Sequence, residues 1–251
     1  MLAVLSGLLA RWRTLREDAA LARRPIRDDL WKRTLVRYPF LRRRDAAEQL
    51  LLRRMTSLFL DRKEFTAQGG LRLTDDVVVA VAAQACLPVL RLGLQAYGGF
   101  VGIVLHPDQV VAQRSVVDDD GVVHEYDELL AGEAMEGGPI MLSWRDVRTA
   151  GRSAGEGYNV VIHEFAHVLD LKQRFSAQHP QVQQDYTAFC ERVDAGEETL
   201  LDPYGAEAPE EFFAVASEVF FVNPQALKTE HPALHGVLVS FYRQDPALET
   251  A

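Results

Sequence analysis

The chain has 251 residues, 48% hydrophobic and 25% charged, a balance that excludes a disordered or fibrous protein and leaves a globular one able to bury a large core. Two cysteines, Cys86 and Cys190, exclude a disulfide framework and a Cys-x-x-Cys pair, as expected of a reducing compartment, so a cytoplasmic protein is expected. The net charge of −9 is unevenly spread: of 27 Lys/Arg and 36 Asp/Glu, residues 1–63 hold 16 and 7, leaving 11 and 29 for the rest.

Met1 to Arg24 reads as an amphipathic helix, ended by Pro25. Its opening apolar run, Met1 to Ala10, is too short to span a bilayer, and its arginines follow the run instead of preceding it, so neither a membrane span nor a secretory signal is expected. The basic residues of this part, Arg42 to Arg44 among them, either pair with acidic groups or recruit an acidic partner. No nucleic-acid-binding module accompanies them, so direct nucleic-acid binding is not expected. Asp45 with Glu48 three residues on signals the start of a helix through about Leu60. A turn at Gly69-Gly70 follows, and then the apolar stretch Val77 to Leu92, in which Pro88 should kink or shorten a buried helix.

Phe100 to Leu105 reads as a strand. Val110 to Val117 and Val122 to Tyr126 flank Asp120-Gly121, a strong hairpin signal, and the acidic run Asp118 to Asp120 lacks calcium-loop spacing and reads as its turn. Pro139 to Trp144 is a further strand, expected at a sheet edge against which an extended peptide pairs. Later helices are expected over Val182 to Val193, Glu210 to Phe221, with Pro209 near its first turn, and Leu234 to Tyr242. Helices dominate and a few antiparallel strands lie between them, so the fold class is α+β.

The most informative stretch is Tyr158 to Leu171, YNVVIHEFAHVLDL. On a helix, His163 and His167 project from one face a turn apart, placed to grip one Zn²⁺, and Glu164 is placed to reach a water without coordinating the ion. This is the H-E-x-x-H arrangement of zinc peptidases, and a shuffled chain of this composition would contain it only about 0.01 times. The surrounding residues are apolar, which marks a buried helix and makes three polar side chains in its middle costly unless they serve a site. His231 and His235 repeat the spacing without a glutamate and with Pro232 after the first, and are expected to be surface histidines at a helix start.

Catalytic zinc has three protein ligands and an open position. The metzincin pattern would need Gly at position 170 and His at position 173, where this chain has Asp170 and Gln173. A glutamate from a second helix is the alternative. Glu211 and Glu218 lie seven apart on one face of the helix from Glu210, with the small Ala214 between them. Glu211, at the start of that helix, is expected to be the ligand, and Glu218, deeper in it, to orient a ligand imidazole.

The run GPIMLSW, the helix YNVVIHEFAHVLDL, the stretch DPYGAEAPEEFFAVASEVFF and FYRQDP together resemble the Mlc titration factor A family, zinc peptidases related in catalytic architecture to the gluzincins and anthrax lethal factor. The similarity runs from about Leu50 to Pro246. The resemblance implies His163, His167 and Glu211 as zinc ligands, Glu164 as the catalytic glutamate and Tyr204 as a tyrosine facing the zinc. It also implies a zincin-type catalytic domain, one Zn²⁺ per chain, aminopeptidase-type cleavage of a peptide substrate, and a transcriptional repressor of the Mlc type as partner. The alternative function is a regulator-binding protein whose zinc is structural or weakly catalytic. With the resemblance weakest over the first 45 residues, the expected division is a basic helical segment, residues 1–44, and a metallopeptidase domain, residues 45–251.

Overall fold

The computed structural model describes residues 14–100, 102–117, 123–134, 137–152 and 157–248. The chain forms α1 (residues 14–23), α2 (Asp28–Arg37), α3 (Pro39–Arg42), α4 (Ala46–Arg62), β1 (Glu64–Ala67) and α5 (Asp75–Cys86). Five strands follow, β2 (Gly102–His106), β3 (Val110–Val117), β4 (Val123–Leu130), β5 (Gly132–Ala134) and β6 (Ile140–Ser143), and then α6 (Trp144–Thr149). The last part is helical: α7 (Val160–Gln173), α8 (Phe175–Gln178), α9 (Pro180–Asp194), α10 (Pro209–Val222), α11 (Pro224–Glu230) and α12 (Pro232–Tyr242). Predominant helices around a small mixed sheet make this an α+β fold, the class expected from the succession of elements. Among the described residues no helix is long and apolar enough to cross a membrane.

The local signals act as their chemistry requires. The Asp45 side chain accepts a hydrogen bond from the Glu48 N–H at 2.8 Å and opens α4, while the Glu48 carboxylate turns away to Arg91, so only half of a capping box forms. α5 ends at Cys86: Leu87 keeps helical dihedrals, φ −61° and ψ −50°, but Pro88 has no N–H with which to continue the ladder. β3 and β4 pair antiparallel from Val110 opposite Leu130 to Val117 opposite Val123. The acidic run, the Asp120-Gly121 turn, Val122 and the first thirteen residues of the expected N-terminal helix lie outside the described residues.

Two sheet expectations are corrected. The four-stranded sheet has the order β1-β2-β6-β5, with β1, β2 and β6 parallel and only β5 antiparallel to its neighbour. α5 lies between β1 and β2 in sequence, a crossover long enough to bring the chain back in the same direction. The stretch Pro139 to Trp144 is not an edge either: β6 lies between β2 and β5, and the edge on its side is the three-residue β5. His235 is also not a surface residue. It is buried against Phe220, with its Nε2 3.3 Å from Asp245.

Several of the basic N-terminal residues form ion pairs. Arg23 meets Asp61, Arg33 meets Asp29 and Asp76, Arg53 meets Asp28, and Arg54 meets Glu17, at 2.7–3.2 Å. Most of these partners belong to the same part of the chain, and Asp76 lies beyond it. Leu30, Trp31, Tyr38, Phe40 and Leu41 join the same hydrophobic core as α7 and α10, and the Tyr38 hydroxyl donates to the Val147 carbonyl at 3.1 Å. The packing includes backbone: a Cβ on Gly151 would lie 1.8 Å from the Arg37 carbonyl oxygen. Each fully buried large apolar side chain is worth about 1.5–3 kcal/mol, so losing five approaches the ~5–15 kcal/mol stability of a whole domain. A chain beginning at Asp45 is therefore expected to lose cooperative folding, checked by a thermal melt; a sharp transition would show instead that residues 1–44 are dispensable for the fold.

Candidate metal centre

α7 begins at Asn159, whose side-chain Oδ1 accepts the Ile162 N–H at 3.0 Å, a side-chain cap that sets the helix phase just ahead of the two histidines. One turn apart on the same face, the rings of His163 and His167 lie 4.8 Å apart between centroids and bring their Nε2 atoms within 3.1 Å. α10 packs against α7 and has Glu211 in its first turn. One Glu211 carboxylate oxygen stands 3.0 Å from His163 Nε2 and 3.3 Å from His167 Nε2. His163, His167 and Glu211 are the one group of His, Cys, Asp or Glu residues among those described whose potential ligand atoms converge in this way.

Two turns further along α10, Glu218 is buried. One of its oxygens lies 2.8 Å from His163 Nδ1, and the other accepts the Asn159 N–H. A carboxylate can only accept here, so Nδ1 carries the hydrogen and Nε2 is directed at Glu211 and His167. Asn159 continues the network: its Nδ2 donates to Gln84 Oε1 at 2.8 Å, and Gln84 donates to the Ala80 carbonyl at 3.1 Å. Charge in the centre favours a cation. Burial pushes the Glu211 carboxyl up, but hydrogen bonds with both histidines overcome that and hold it at about 2. For His163, burial lowers the pKa and the hydrogen bonds to Glu211 and Glu218 raise it by more.

Glu164 stands apart from the converging atoms. It is 5% exposed, and burial pushes its carboxyl up to about 7 against the pull of His163 and His167. Gly132 of β5 lies directly against it: a Cβ there would come within 2.4 Å of Glu164 Oε1 and 2.6 Å of its Cγ. Tyr204 sits in a 3₁₀ turn, Pro203–Ala206, where the Asp202 side chain accepts its N–H at 2.9 Å. Its ring lies 6.1 Å from the His163 ring and is 39% exposed, so it faces the cleft rather than the core. His163, Glu164, His167, Tyr204 and Glu211 thus line one cleft, and β5 forms one of its sides.

A half-buried pair of imidazoles and a carboxylate on two packed helices suits a metallopeptidase, and residues 10–243 match the family model of the glucose-regulated metallo-peptidases M90. The chain belongs to this family. Relatives of this M90 chain include Mlc titration factor A of Serratia proteamaculans, 34% identical over 231 residues, covering 86% of this chain and 87% of that protein. Mlc titration factor A of Klebsiella pneumoniae is 32% identical over 231 residues, covering 86% of each. An uncharacterized protein of Synechocystis is 31% identical over 269 residues, covering 99% of this chain and 97% of its own length.

Three features of the candidate site are not anticipated by the sequence reading. Gln84 carries a signal, as a polar side chain in the otherwise apolar second half of α5, where burial demands a partner. Asn159, immediately before the apolar run of α7, carries the ordinary signal of an N-cap, which reveals the start of the helix but not the bonds to Glu218 and Gln84. Gly132 carries none, since its need for a missing side chain comes from Glu164, 32 positions later.

Proposed function

We propose that this M90 chain is a zinc-dependent peptidase in which His163, His167 and Glu211 hold the ion and Glu164 is the general base. The observation that carries the proposal is the spacing of the three donor atoms, 3.0, 3.1 and 3.3 Å. With zinc–ligand bonds of about 2.0–2.1 Å, the donors of a tetrahedral ion stand about 3.3 Å apart. When bound, zinc supplies Lewis acidity and lowers the pKa of a coordinated water from 15.7 to about 7. Glu164 takes a proton from the attacking water and returns it to the leaving amine nitrogen. Glu218 keeps His163 in one tautomer and orientation. Tyr204 donates a hydrogen bond to the oxygen that becomes negative as the carbonyl is attacked. The open edge of β5 offers backbone groups to an extended peptide. Both cysteines are free and the family resemblance is to aminopeptidase-type enzymes, which supports a cytoplasmic enzyme acting on peptides.

The test is hydrolysis of a peptide library by zinc-loaded protein, with metal content measured in parallel. Zinc bound without any cleavage would favour the second reading. The relatives are named for titrating Mlc, and this chain would then bind a repressor of that type with its zinc in a structural role.

The two α10 glutamates separate by metal affinity. Glu211→Ala is expected to weaken zinc binding far more than Glu218→Ala, whose loss should cost about 10- to 100-fold, as measured by competition with a chelator. The reverse ranking would exchange their roles. Gly132→Ala is expected to displace the Glu164 carboxylate and lower kcat by about 100-fold, the cost of roughly 1 Å of misplacement, while zinc stays bound. Unchanged kcat would mean that Glu164 tolerates the shift.

A further inference from the structure

The cleft divides at the metal centre into two pockets of opposite character. His163, Glu164, Tyr204, Gly132 and Leu130 border both. On one side, a cavity of about 210 Å³ is walled by Leu130, Ala131, Val160, Val215 and Val219. On the other, a wider one of about 450 Å³ presents Glu133, Asp170, Arg174, Ser176 and Glu210. A peptide whose cleaved carbonyl lies beside Glu164 and His163 therefore places one flanking side chain among aliphatic groups and the other among charged ones.

We propose that the aliphatic pocket selects peptides with a leucine- or phenylalanine-sized apolar side chain next to the cleaved bond, and rejects acidic ones. The assignment rests on the peptidase reading. Size permits it, since an apolar cavity of about 150 Å³ already admits a benzene ring. Among the described residues the walls offer an incoming side chain no Lys or Arg: the pocket's ionisable lining beyond His163 consists of Glu164, Glu218, Asp202, Tyr158 and Tyr204. The Tyr158 hydroxyl reports that field, being held above its ordinary value by burial and then by Asp146, Glu218, Glu164 and Asp202. An added carboxylate would lose its hydration and meet the Glu164, Glu218 and Asp202 carboxylates, with no Lys or Arg among the lining residues to pair with it. An apolar side chain gives up nothing and gains contact with the walls. One methylene more or less in such a pocket changes kcat/KM by about 10- to 200-fold.

The pocket can be narrowed from two directions. Ala131 is half-buried at the rim, so Ala131→Leu fills the space without replacing a core residue, and Val215→Phe fills it from α10. The experiment compares zinc-loaded wild type and both variants on peptides carrying Gly, Leu, Phe or Asp on either side of the cleaved bond. At one of the two positions wild type is expected to cleave the Leu and Phe peptides at least ~10-fold faster than Gly and Asp. The variants should lose that preference while still cleaving the Gly peptide at the wild-type rate. Cleavage with no preference at either position, or a preference that survives both variants, overturns this assignment alone. No cleavage of any peptide by zinc-loaded wild type overturns the peptidase reading and this one with it.

Discussion

Replacing Glu164 by Gln is expected to leave zinc bound and to lower peptide hydrolysis by about 10²- to 10⁴-fold, the usual contribution of a positioned general base. The substitution keeps the shape of the side chain, and shape matters here because Gly132 leaves no slack around the carboxylate. Folding should not suffer. Burial already penalises the charged form of Glu164, raising its carboxyl to about 7, so a neutral amide in its place removes a cost instead of adding one. The Glu164 oxygens are not among the converging donor atoms, so metal content should match wild type. The variant thus separates chemistry from metal binding. Three measurements suffice: zinc per chain, the thermal midpoint and kcat on the best library peptide. Wild-type kcat in this variant would remove Glu164 from the mechanism.

The second large effect is expected from His163→Ala and from His167→Ala, each of which should abolish stoichiometric zinc binding. A ligand loss should exceed the roughly 10- to 100-fold cost of losing an outer partner such as Glu218. His163 is the more consequential, because its ring joins Glu218, Glu211 and His167 in one network. Its removal leaves the buried Glu218 with only the Asn159 N–H among the partners described here, and a buried carboxylate stripped of a partner is destabilising. A thermal-shift titration reads both consequences together. Zinc at 100 times its Kd should stabilise wild type by about 2.7 kcal/mol, and neither variant should respond. Equal zinc content and equal thermal response in wild type and both variants would remove the histidines as ligands.

Which side chains share a face of one helix is legible from residue spacing alone. Helical periodicity puts His163 and His167 on one face and Glu164 beside them, and puts Glu211 and Glu218 on one face of a second helix, because side-chain direction along a helix is set by its own geometry. The same local logic gives the start of α4 at Asp45 and the end of α5 ahead of Pro88. Which groups on different elements meet depends instead on how those elements pack. That Glu211 converges with both Nε2 atoms while Glu218 holds Nδ1 depends on how α10 docks on α7, through contacts 48 and 55 residues apart in sequence. The bond from Asn159 to Gln84 spans 75 residues. The edge of the sheet likewise could not be read locally: the apolar run of β6 looks like a better strand than Gly-Glu-Ala of β5, yet β6 is enclosed and β5 borders the cleft. Strand order and helix docking are settled by burying apolar faces from the whole chain at once, and no short-range pattern of residue types encodes which faces will be chosen.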